Sequence, residues 1–370
     1  MRFPARLFCR MAETRARMET YKKRRILTRS ISITAETYPL RRKFAIARGT
    51  KVRAEPVSVE ICDAGVSGYG EALPYPRYGE TVETVTASIE QLRGAVCAGL
   101  TRADLQTALP PGAARCALDC ALWDLQAKTT GTPVWRLADM PAPKPVTTAF
   151  TVVLDGADAM AHAAAQASAF PLLKIKLGSR EGVLADITRL REIRQARPDA
   201  RLIVDANEGW RVEELARYAH LLAAYNVLFF EQPVSAREQH ALADINLPFC
   251  ADESVHETSD LEPLPRAYGW VNVKLDKAGG FTQALEMVKA AKARNLNVMI
   301  GCMVASSLSI APAHLLAQIA DLADLDGPLW LNEDRPDKLA FDGPVITPPA
   351  PSLWGQKSAE NVLALLRTSC

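Results

Sequence analysis

Histidine and paired cysteines are scarce in this chain of 370 residues. It has five histidines, none of which is expected to be catalytic because none falls at the polar strand ends described below. Its eight cysteines include no CxxC pair, which argues against zinc ribbons and dithiol redox motifs. Cys116 and Cys120 stand four apart in a helical stretch and are interpreted as small core residues. This cysteine usage fits a reducing cytoplasm.

Long uncharged stretches are also rare. The longest one without Asp, Glu, Lys or Arg runs from Asn295 to Ala320, and it contains Asn, Ser, Pro, Gln and His. We interpret it as a buried strand and the helix that follows, and predict no membrane span. With 48% hydrophobic and 23% charged residues, the composition is that of a globular protein with a large core.

The net charge of +2 hides an uneven distribution. Residues 1–29 hold ten Lys/Arg and two Glu, so the remainder holds 34 basic and 40 acidic residues, a net of −6. This acidic body gives no reason to expect nucleic-acid binding. The basic head (residues 1–29) is predicted to be a disordered tail; a targeting segment or an upstream start codon are the alternatives, and it lacks the apolar middle of a secretory signal.

Two regions of different pattern follow the head. Residues 30–72 alternate as strands do, and residues 81–129 show apolar residues at helical spacing. Strands followed by helices predict a small α+β capping domain over residues 30–140. A proline-rich joint, MPAPKPV, separates it from the rest of the chain.

Beyond the joint, short apolar strands are each followed by a helical stretch. The strand segments are TTAFTVVL, PLLKIKLG, RLIVDANE, VLFFEQPV, PFCADES, WVNVKLD, NVMIGCM and ADLADLDG. Eight such units close a barrel, and apolar strands are typical of a parallel sheet buried on both faces. We predict an α/β fold, a TIM-type (β/α)7β barrel over residues 146–328 with the α+β domain as its cap. The proline-rich tail, residues 329–370, is expected to return to the capping domain.

Three carboxylates fall at successive strand ends. Asp205 ends the third strand, Glu231 the fourth and Asp252 the fifth. Functional groups of this fold sit at the C-terminal ends of strands, so these side chains should converge. Three crowded anions require a cation, and oxygen ligands favour Mg²⁺. The alternative, that each acid is a helix cap or a surface residue, is weaker for three in succession than for one.

Lysines occupy strands on opposite sides of the predicted ring. Lys174 and Lys176 lie on the second strand and Lys274 on the sixth. A substrate bound through a carboxylate at the metal would have an amine on each side. A neutral lysine could then remove the proton next to that carboxylate, provided that its pKa falls towards the working pH. Because Lys174 and Lys176 stand side by side, the positive charge of one would lower the pKa of the other, and it could also hold the substrate carboxylate.

The eighth strand carries two further acids. Asp324 and Asp326 stand two residues apart, opposite the fourth strand in the ring. A substrate whose carboxylate lies at the metal could extend a cationic end to these two aspartates. The pattern therefore predicts proton transfer at a carbon next to a carboxylate, with inversion when the second lysine returns the proton on the opposite face.

These segments resemble a known family. The stretches KIK, VDAN, EQP, ADES and NVKLDKAGG resemble the muconate-lactonising subgroup of the enolase superfamily. IARGT around Arg48, PYPRYGE, and DLDGP around Asp324 resemble the bacterial L-Ala-D/L-Glu dipeptide epimerases within it. The similarity extends from about Ile33 to Trp330; the basic head and the tail depart from the family pattern.

The resemblance implies specific roles. Asp205, Glu231 and Asp252 would bind Mg²⁺, and Lys176 and Lys274 would be the general acid and base. Asp324 and Asp326 would hold the dipeptide ammonium, with Arg48 on the side-chain carboxylate of glutamate. It also implies a cytoplasmic enzyme of peptidoglycan peptide metabolism with a small dipeptide as its partner, neither membrane-bound nor nucleic-acid-binding. Whether the chain forms a homo-oligomer stays open.

Two other functions compete with this prediction. The first is another enolase-superfamily lyase or isomerase, such as a lactonising enzyme or an acid-sugar dehydratase, which needs no site for an ammonium. The second is a catalytically silent metal-stabilised scaffold or binding protein. The Asp324/Asp326 pair argues against the first, and the presence of all three acids with both opposed lysines argues against the second.

Overall fold

The computed structural model describes residues 29–356, so all but the last residue of the basic head, and residues 357–370 of the tail, lie outside the described part of the chain. Strands are numbered β1 to β16: Ser30–Ala35, Tyr38–Ile46, Gly49–Ala54, Val57–Asp63, Val66–Ala72, Val146–Thr147, Phe150–Val152, Leu172–Lys176, Arg201–Asp205, Val227–Glu231, Phe249–Ala251, Tyr268–Val273, Asn297–Gly301, Leu322–Asp324, Phe341–Asp342 and Val345–Ile346. Helices are numbered α1 to α11: Val82–Gln91, Arg93–Cys97, Arg102–Ala108, Ala113–Thr130, Val134–Leu137, Ala157–Gln166, Val183–Ala196, Val212–Leu222, Leu275–Ala278, Phe281–Ala293 and Ser307–Leu316.

The N-terminal region forms an antiparallel sheet covered by a helix. Strands β1, β4 and β5 pair in the order β1-β4-β5, and α4 packs across them. Close packing requires glycine at Gly70, since a Cβ there would lie 2.1 Å from the carbonyl oxygen of Ala117. Two of the shorter helices begin at threonine N-caps, Thr81 and Thr101. The β2–β3 hairpin contacts the barrel side directly, since the amide of Leu154 donates to the carbonyl of Ala45 at 3.0 Å and the amide of Asn332 donates to the carbonyl of Pro39 at 2.8 Å.

Eight parallel strands form the barrel in the sequential order β7 to β14. The two end strands meet through the amide of Ala149, which donates to the carbonyl of Ala323 at 2.9 Å. Neighbouring strands are paired so that their polar ends lie level; Lys176 is opposite Asp205, and Asp205 is opposite Glu231. The predicted (β/α)7β barrel and its N-terminal cap are therefore confirmed.

Two connections differ from the expected α-helices. The segments after the fourth and fifth barrel strands contain only the 3₁₀ turns Gln239–Asp244 and Thr258–Leu261. Prolines at positions 233, 248, 263 and 265 interrupt these short segments, and proline removes the amide that an α-helix needs. The first predicted strand is also split, because β6 leaves the barrel and pairs with β16.

The described part of the tail runs back along α4. Trp354 is buried, and its Nε1 donates to the carbonyl of Cys120 at 3.1 Å. The amide of Gly355 donates to Asp124 Oδ1 at 2.7 Å. These contacts tie residues beyond the barrel to the main helix of the cap. Within residues 29–356, no helix is both long and apolar enough to cross a membrane.

Candidate active site

A cavity of about 460 Å³ opens where the capping region meets the C-terminal ends of the barrel strands. The barrel contributes both charged residues and neutral ones, and the cap contributes the β2–β3 hairpin together with the turn Pro76–Tyr78. Seven of the nine residues predicted from the sequence line it: Arg48, Lys174, Lys176, Asp252, Lys274, Asp324 and Asp326. The other two, Asp205 and Glu231, are fully buried beside them.

The three predicted metal-binding acids converge. Asp205 and Glu231 are the last residues of β9 and β10, and Asp252 directly follows β11. One carboxylate oxygen from each lies within 4.8 Å of the others, and all three side chains are buried. The backbone turns sharply after two of these acids, since Asn207 and Gln232 have φ values of 46° and 35°. Geometrically, the three carboxylates could hold one cation.

The acids are neutralised unequally by the lysines around them. Lys176 Nζ lies 2.5 Å from Asp205 Oδ2, and Lys274 Nζ lies 2.6 Å from Asp252 Oδ2. Burial opposes ionisation of Asp205, but Lys176 and Lys174 lower its pKa to about 2. Glu231 shows the reverse, because burial and the charge of Asp205 raise its pKa to about 8. The cluster thus retains a group that an added cation would help to ionise.

Lys174 is a fixed cation in the interior of the site. Its Nζ lies 2.8 Å from Glu231 Oε2 and 2.8 Å from Asp324 Oδ2, and its side chain is only 1% exposed. Burial disfavours the charge, but Asp324, Glu231 and Asp205 outweigh it and raise the pKa of Lys174 well above its ordinary value. This lysine therefore joins the acidic cluster to the eighth strand.

Asp324 and Asp326 are close together but have different partners. Asp324 pairs with Lys174 through Oδ2, while its buried Oδ1 has no hydrogen-bond partner among residues 29–356. Asp326 Oδ2 accepts from the amide of Thr151 at 2.7 Å and from Nε1 of Trp330 at 3.2 Å. Burial and the neighbouring Asp324 raise the pKa of Asp326 to about 6. The pair therefore presents carboxylate oxygens to the cavity, and one of them, Asp324 Oδ1, is available to accept a hydrogen bond.

Arg48 reaches the barrel from the β2–β3 hairpin. Its guanidinium donates to the carbonyl of Asn207 at 2.7 Å and to Glu253 Oε1 at 2.5 Å. It also meets the hydroxyl of Tyr75 at 3.0 Å and Glu208 at 3.3 Å. Arg48 thus lies in the cavity wall, as its predicted role requires, and it also cross-links the hairpin to the loops after β9 and β11.

Several charged residues of the site were not predicted: Lys51 and Arg77 line the cavity, and Lys277 and Glu253 contact predicted residues. Lys277 Nζ lies 2.5 Å from Asp252 Oδ1 and 3.0 Å from the carbonyl of Asn272. The KLDK segment could have indicated this position, because Lys277 follows Lys274 by three residues and residues three apart share a face of a helical turn. Glu253, the partner of Arg48, was visible only as the second acid of ADES. Adjacent residues of an extended segment point in opposite directions, so no sequence pattern indicated that Glu253 would lie near the cavity together with Asp252.

Comparison with known families agrees with this geometry. The family described as enolase C-terminal domain-like matches residues 157–351, and the N-terminal domain of the mandelate racemase/muconate lactonizing enzyme family matches residues 28–138. The chain belongs to this mandelate racemase/muconate lactonizing enzyme family of the enolase superfamily, as the sequence motifs predicted.

The relatives within the family are more specific. The chain is 45% identical over 318 residues to the L-Ala-D/L-Glu epimerase of Escherichia coli K12, a match that covers 85% of this chain and 98% of that protein. Among solved structures, it is similar to an Agrobacterium tumefaciens enolase family member with homology to dipeptide epimerases, with bound sodium and L-Ala-L-Glu. The TM-score is 0.85 at 45% identity, covering 88% of this chain and 100% of that one.

A more distant structure has the same fold with a metal and a different dipeptide. It is a dipeptide epimerase of Enterococcus faecalis complexed with Mg and L-Leu-L-Tyr, with a TM-score of 0.81 and 28% identity. The match covers 89% of this chain and 98% of that one. Similarity to dipeptide epimerases therefore extends over both the cap and the barrel.

Proposed function

We propose that this protein is a Mg²⁺-dependent isomerase that epimerises a dipeptide, L-Ala-L-Glu to L-Ala-D-Glu or a close relative. The observation that carries this proposal is the position of Lys176 and Lys274. They come from the second and sixth of eight barrel strands, so they face one cavity from opposite sides. Two opposed amines can exchange a proton at both faces of one carbon, which is what epimerisation requires.

The acidic cluster supports the magnesium requirement. Asp205, Glu231 and Asp252 would hold the ion, and oxygen donors from carboxylates are the ligands that Mg²⁺ prefers. Burial and the charge of Asp205 raise the pKa of Glu231, and a cation in contact with its carboxylate would favour the ionised form. When bound, Mg²⁺ supplies positive charge at the substrate carboxylate as the α-proton leaves.

The residues of the chain would then divide the proton transfer. Lys176 removes the α-proton from one face, and the charge moves into the carboxylate as an enediolate. Lys274 delivers a proton to the opposite face, which inverts the carbon, and in the reverse reaction the roles exchange. Lys174 stays protonated and contributes a fixed positive charge beside the carboxylate. Each base must be neutral when it accepts a proton, so its ion pair with Asp205 or Asp252 must loosen during turnover.

The acids of the eighth strand support a dipeptide as the substrate. The unpartnered Oδ1 of Asp324 can accept from an ammonium, with Asp326 beside it. Arg48 would contact the side-chain carboxylate of a C-terminal glutamate. A lactonising enzyme or an acid-sugar dehydratase would not need the unpartnered Oδ1 of Asp324 at this point, because its substrate carries no ammonium.

The setting of the reaction is part of the same proposal. A dipeptide that contains D-glutamate fits the turnover of peptidoglycan peptides in the cytoplasm. Six cysteines within residues 29–356 are free, as a reducing compartment would keep them. Cell fractionation with an antibody to the protein tests this location.

A deuterium experiment tests the chemistry. The purified protein is incubated in D₂O with Mg²⁺ and a library of free dipeptides, and mass gain and stereochemistry are followed. We expect one deuterium at the α-carbon of the C-terminal residue, with formation of the second diastereomer, and loss of both after chelation. Deuterium incorporation without a new diastereomer, or an inactive library combined with turnover of acid sugars, would contradict the proposal.

A further inference from the structure

The β2–β3 hairpin has an unusual charge for its position. Residues 38–54 contain six basic residues and no Asp or Glu, although the body of the chain beyond the head is net acidic. The basic residues are Arg41, Arg42, Lys43, Arg48, Lys51 and Arg53. Six residues of this hairpin region, from Phe44 to Lys51, line the cavity, so part of its positive charge faces the substrate site.

Most of the cations of the hairpin have partners elsewhere. Arg41 donates to the carbonyl of Leu331 at 2.7 Å, and Arg42 lies over the ring of Trp330 at 4.6 Å. Arg53 pairs with its neighbour Glu55 at 3.0 Å. None of these three lines the cavity. The hairpin therefore offers the cavity two cations, Arg48 and Lys51.

These two cations differ in how their charge is balanced. Arg48 is already paired with Glu253 at 2.5 Å and with Glu208 at 3.3 Å. The side chain of Lys51 forms no hydrogen bond or salt bridge with any residue in the range 29–356. Its Nζ lies 4.8 Å from the centroid of the Tyr75 ring, a residue that also lines the cavity. Lys51 is thus the cation of this wall without an anionic partner.

The surroundings of Lys51 favour an incoming anion. Burial lowers the pKa of Lys51, and the positive charges of Arg48 and Lys274 act in the same direction, while Asp276 and Glu55 oppose them. An ammonium that has lost part of its water and faces two other cations is costly unless an anion approaches it. A carboxylate at this point would relieve that cost.

We propose that Lys51 binds the side-chain carboxylate of an acidic residue at the C-terminus of the substrate, an assignment that rests on the proposed dipeptide epimerase function. Such a substrate carries two carboxylates. One is required at the acidic cluster between Lys176 and Lys274, and the other needs a cation. Arg48, the other contact proposed for this carboxylate, shares its charge with Glu253, so Lys51 beside it is the cation whose charge is free to discriminate glutamate from an uncharged residue.

The test compares L-Ala-L-Glu with L-Ala-L-Gln, which has almost the same shape without the charge. Lys51→Met removes the ammonium and keeps the length of the side chain. We expect kcat/KM for L-Ala-L-Glu to fall about ten- to a hundred-fold, mainly through KM, with less than about a three-fold change for L-Ala-L-Gln. Lys51→Arg should retain most of the preference. Lys43→Met is the matched control, because Lys43 is an exposed lysine of the same hairpin that does not line the cavity.

The outcomes separate this assignment from the proposed function. Equal losses on both dipeptides, or an unchanged preference for glutamate, would contradict the role of Lys51 while leaving the epimerase intact. A wild-type protein that epimerises no dipeptide overturns the proposed function, and the assignment of Lys51 fails with it. If Lys43→Met loses as much kcat/KM for L-Ala-L-Glu as Lys51→Met does, the preference for glutamate arises from the general positive charge of the hairpin and not from a specific contact of Lys51.

Discussion

Lys174 and Asp324 form a buried ion pair between β8 and β14, with 2.8 Å between Nζ and Oδ2. Only β7 separates these two strands in the ring. Since the same ammonium also contacts Glu231, it connects the acidic cluster to the acids of the eighth strand. A lysine held by this many acids stays charged, which supports the proposal that Lys174 contributes a fixed charge while Lys176 and Lys274 transfer the proton.

The first prediction concerns the substrate ammonium. Asp326→Asn should lower kcat/KM for a free dipeptide about ten- to a hundred-fold, because it removes a charge-assisted contact. The loss should be much smaller for the N-acetylated dipeptide, which has no ammonium. Steady-state kinetics on Ala-Glu and acetyl-Ala-Glu measure the difference. Equal losses on the two substrates would assign Asp326 a structural role, through Thr151 and Trp330.

The second prediction concerns the metal. Mg²⁺ at a hundred times its dissociation constant should stabilise the folded protein by about 2.7 kcal/mol, and Tm should rise by several degrees. Glu231→Gln should reduce this rise strongly, because it removes one of the three carboxylates. Differential scanning fluorimetry with and without a chelator measures the response. If Glu231→Gln responds to Mg²⁺ as the wild type does, the ion binds elsewhere.

The third prediction concerns a contact between the cap and the barrel. Glu71 accepts from Ser306 Oγ at 2.6 Å and from the Ser306 amide at 3.0 Å, and burial raises its pKa to about 7. The unfolded carboxyl has a lower pKa, so the folded state binds more protons between about pH 4.5 and 7. The free energy of unfolding should therefore fall as pH rises through this window, by roughly 3 kcal/mol at most.

Replacement of Glu71 by glutamine isolates this effect. Glu71→Gln keeps the shape of the side chain but cannot ionise, so its stability should depend less on pH than that of the wild type. Urea unfolding at pH 5, 6 and 7 gives the slopes. Parallel curves for the two proteins would show that Glu71 does not titrate in this range.

Much of the site could be predicted because the barrel repeats one rule. Each polar residue at the end of an apolar strand points towards the same mouth, so Asp205, Glu231 and Lys274 could be placed together from their spacing alone. The 3₁₀ turns after the fourth and fifth strands could not be predicted, because the apolar spacing of these segments still resembles that of an α-helix although prolines interrupt it. The contacts that Trp354 and Gly355 make with α4 depend on packing that no local sequence pattern encodes.

Residues that act across the two regions were harder to predict. Lys51 and Arg48 lie on the same basic hairpin, and nothing in their spacing shows that one is paired with an acid of the barrel and the other is not. Glu253 acquires its importance only because Arg48 reaches it from a segment about 200 residues away. Such pairings depend on how the cap docks on the barrel, and that information is spread over the whole interface.

Isotope exchange in the two single lysine variants tests the central claim most directly. Lys176→Ala and Lys274→Ala should each lose epimerisation, because the carbon cannot be protonated on both faces by one base. In D₂O with Mg²⁺, each variant should still exchange the α-proton of one diastereomer, and the two variants should act on opposite diastereomers. Epimerisation by either variant at close to the wild-type rate, or exchange of the same diastereomer by both, would contradict a mechanism with two opposed bases.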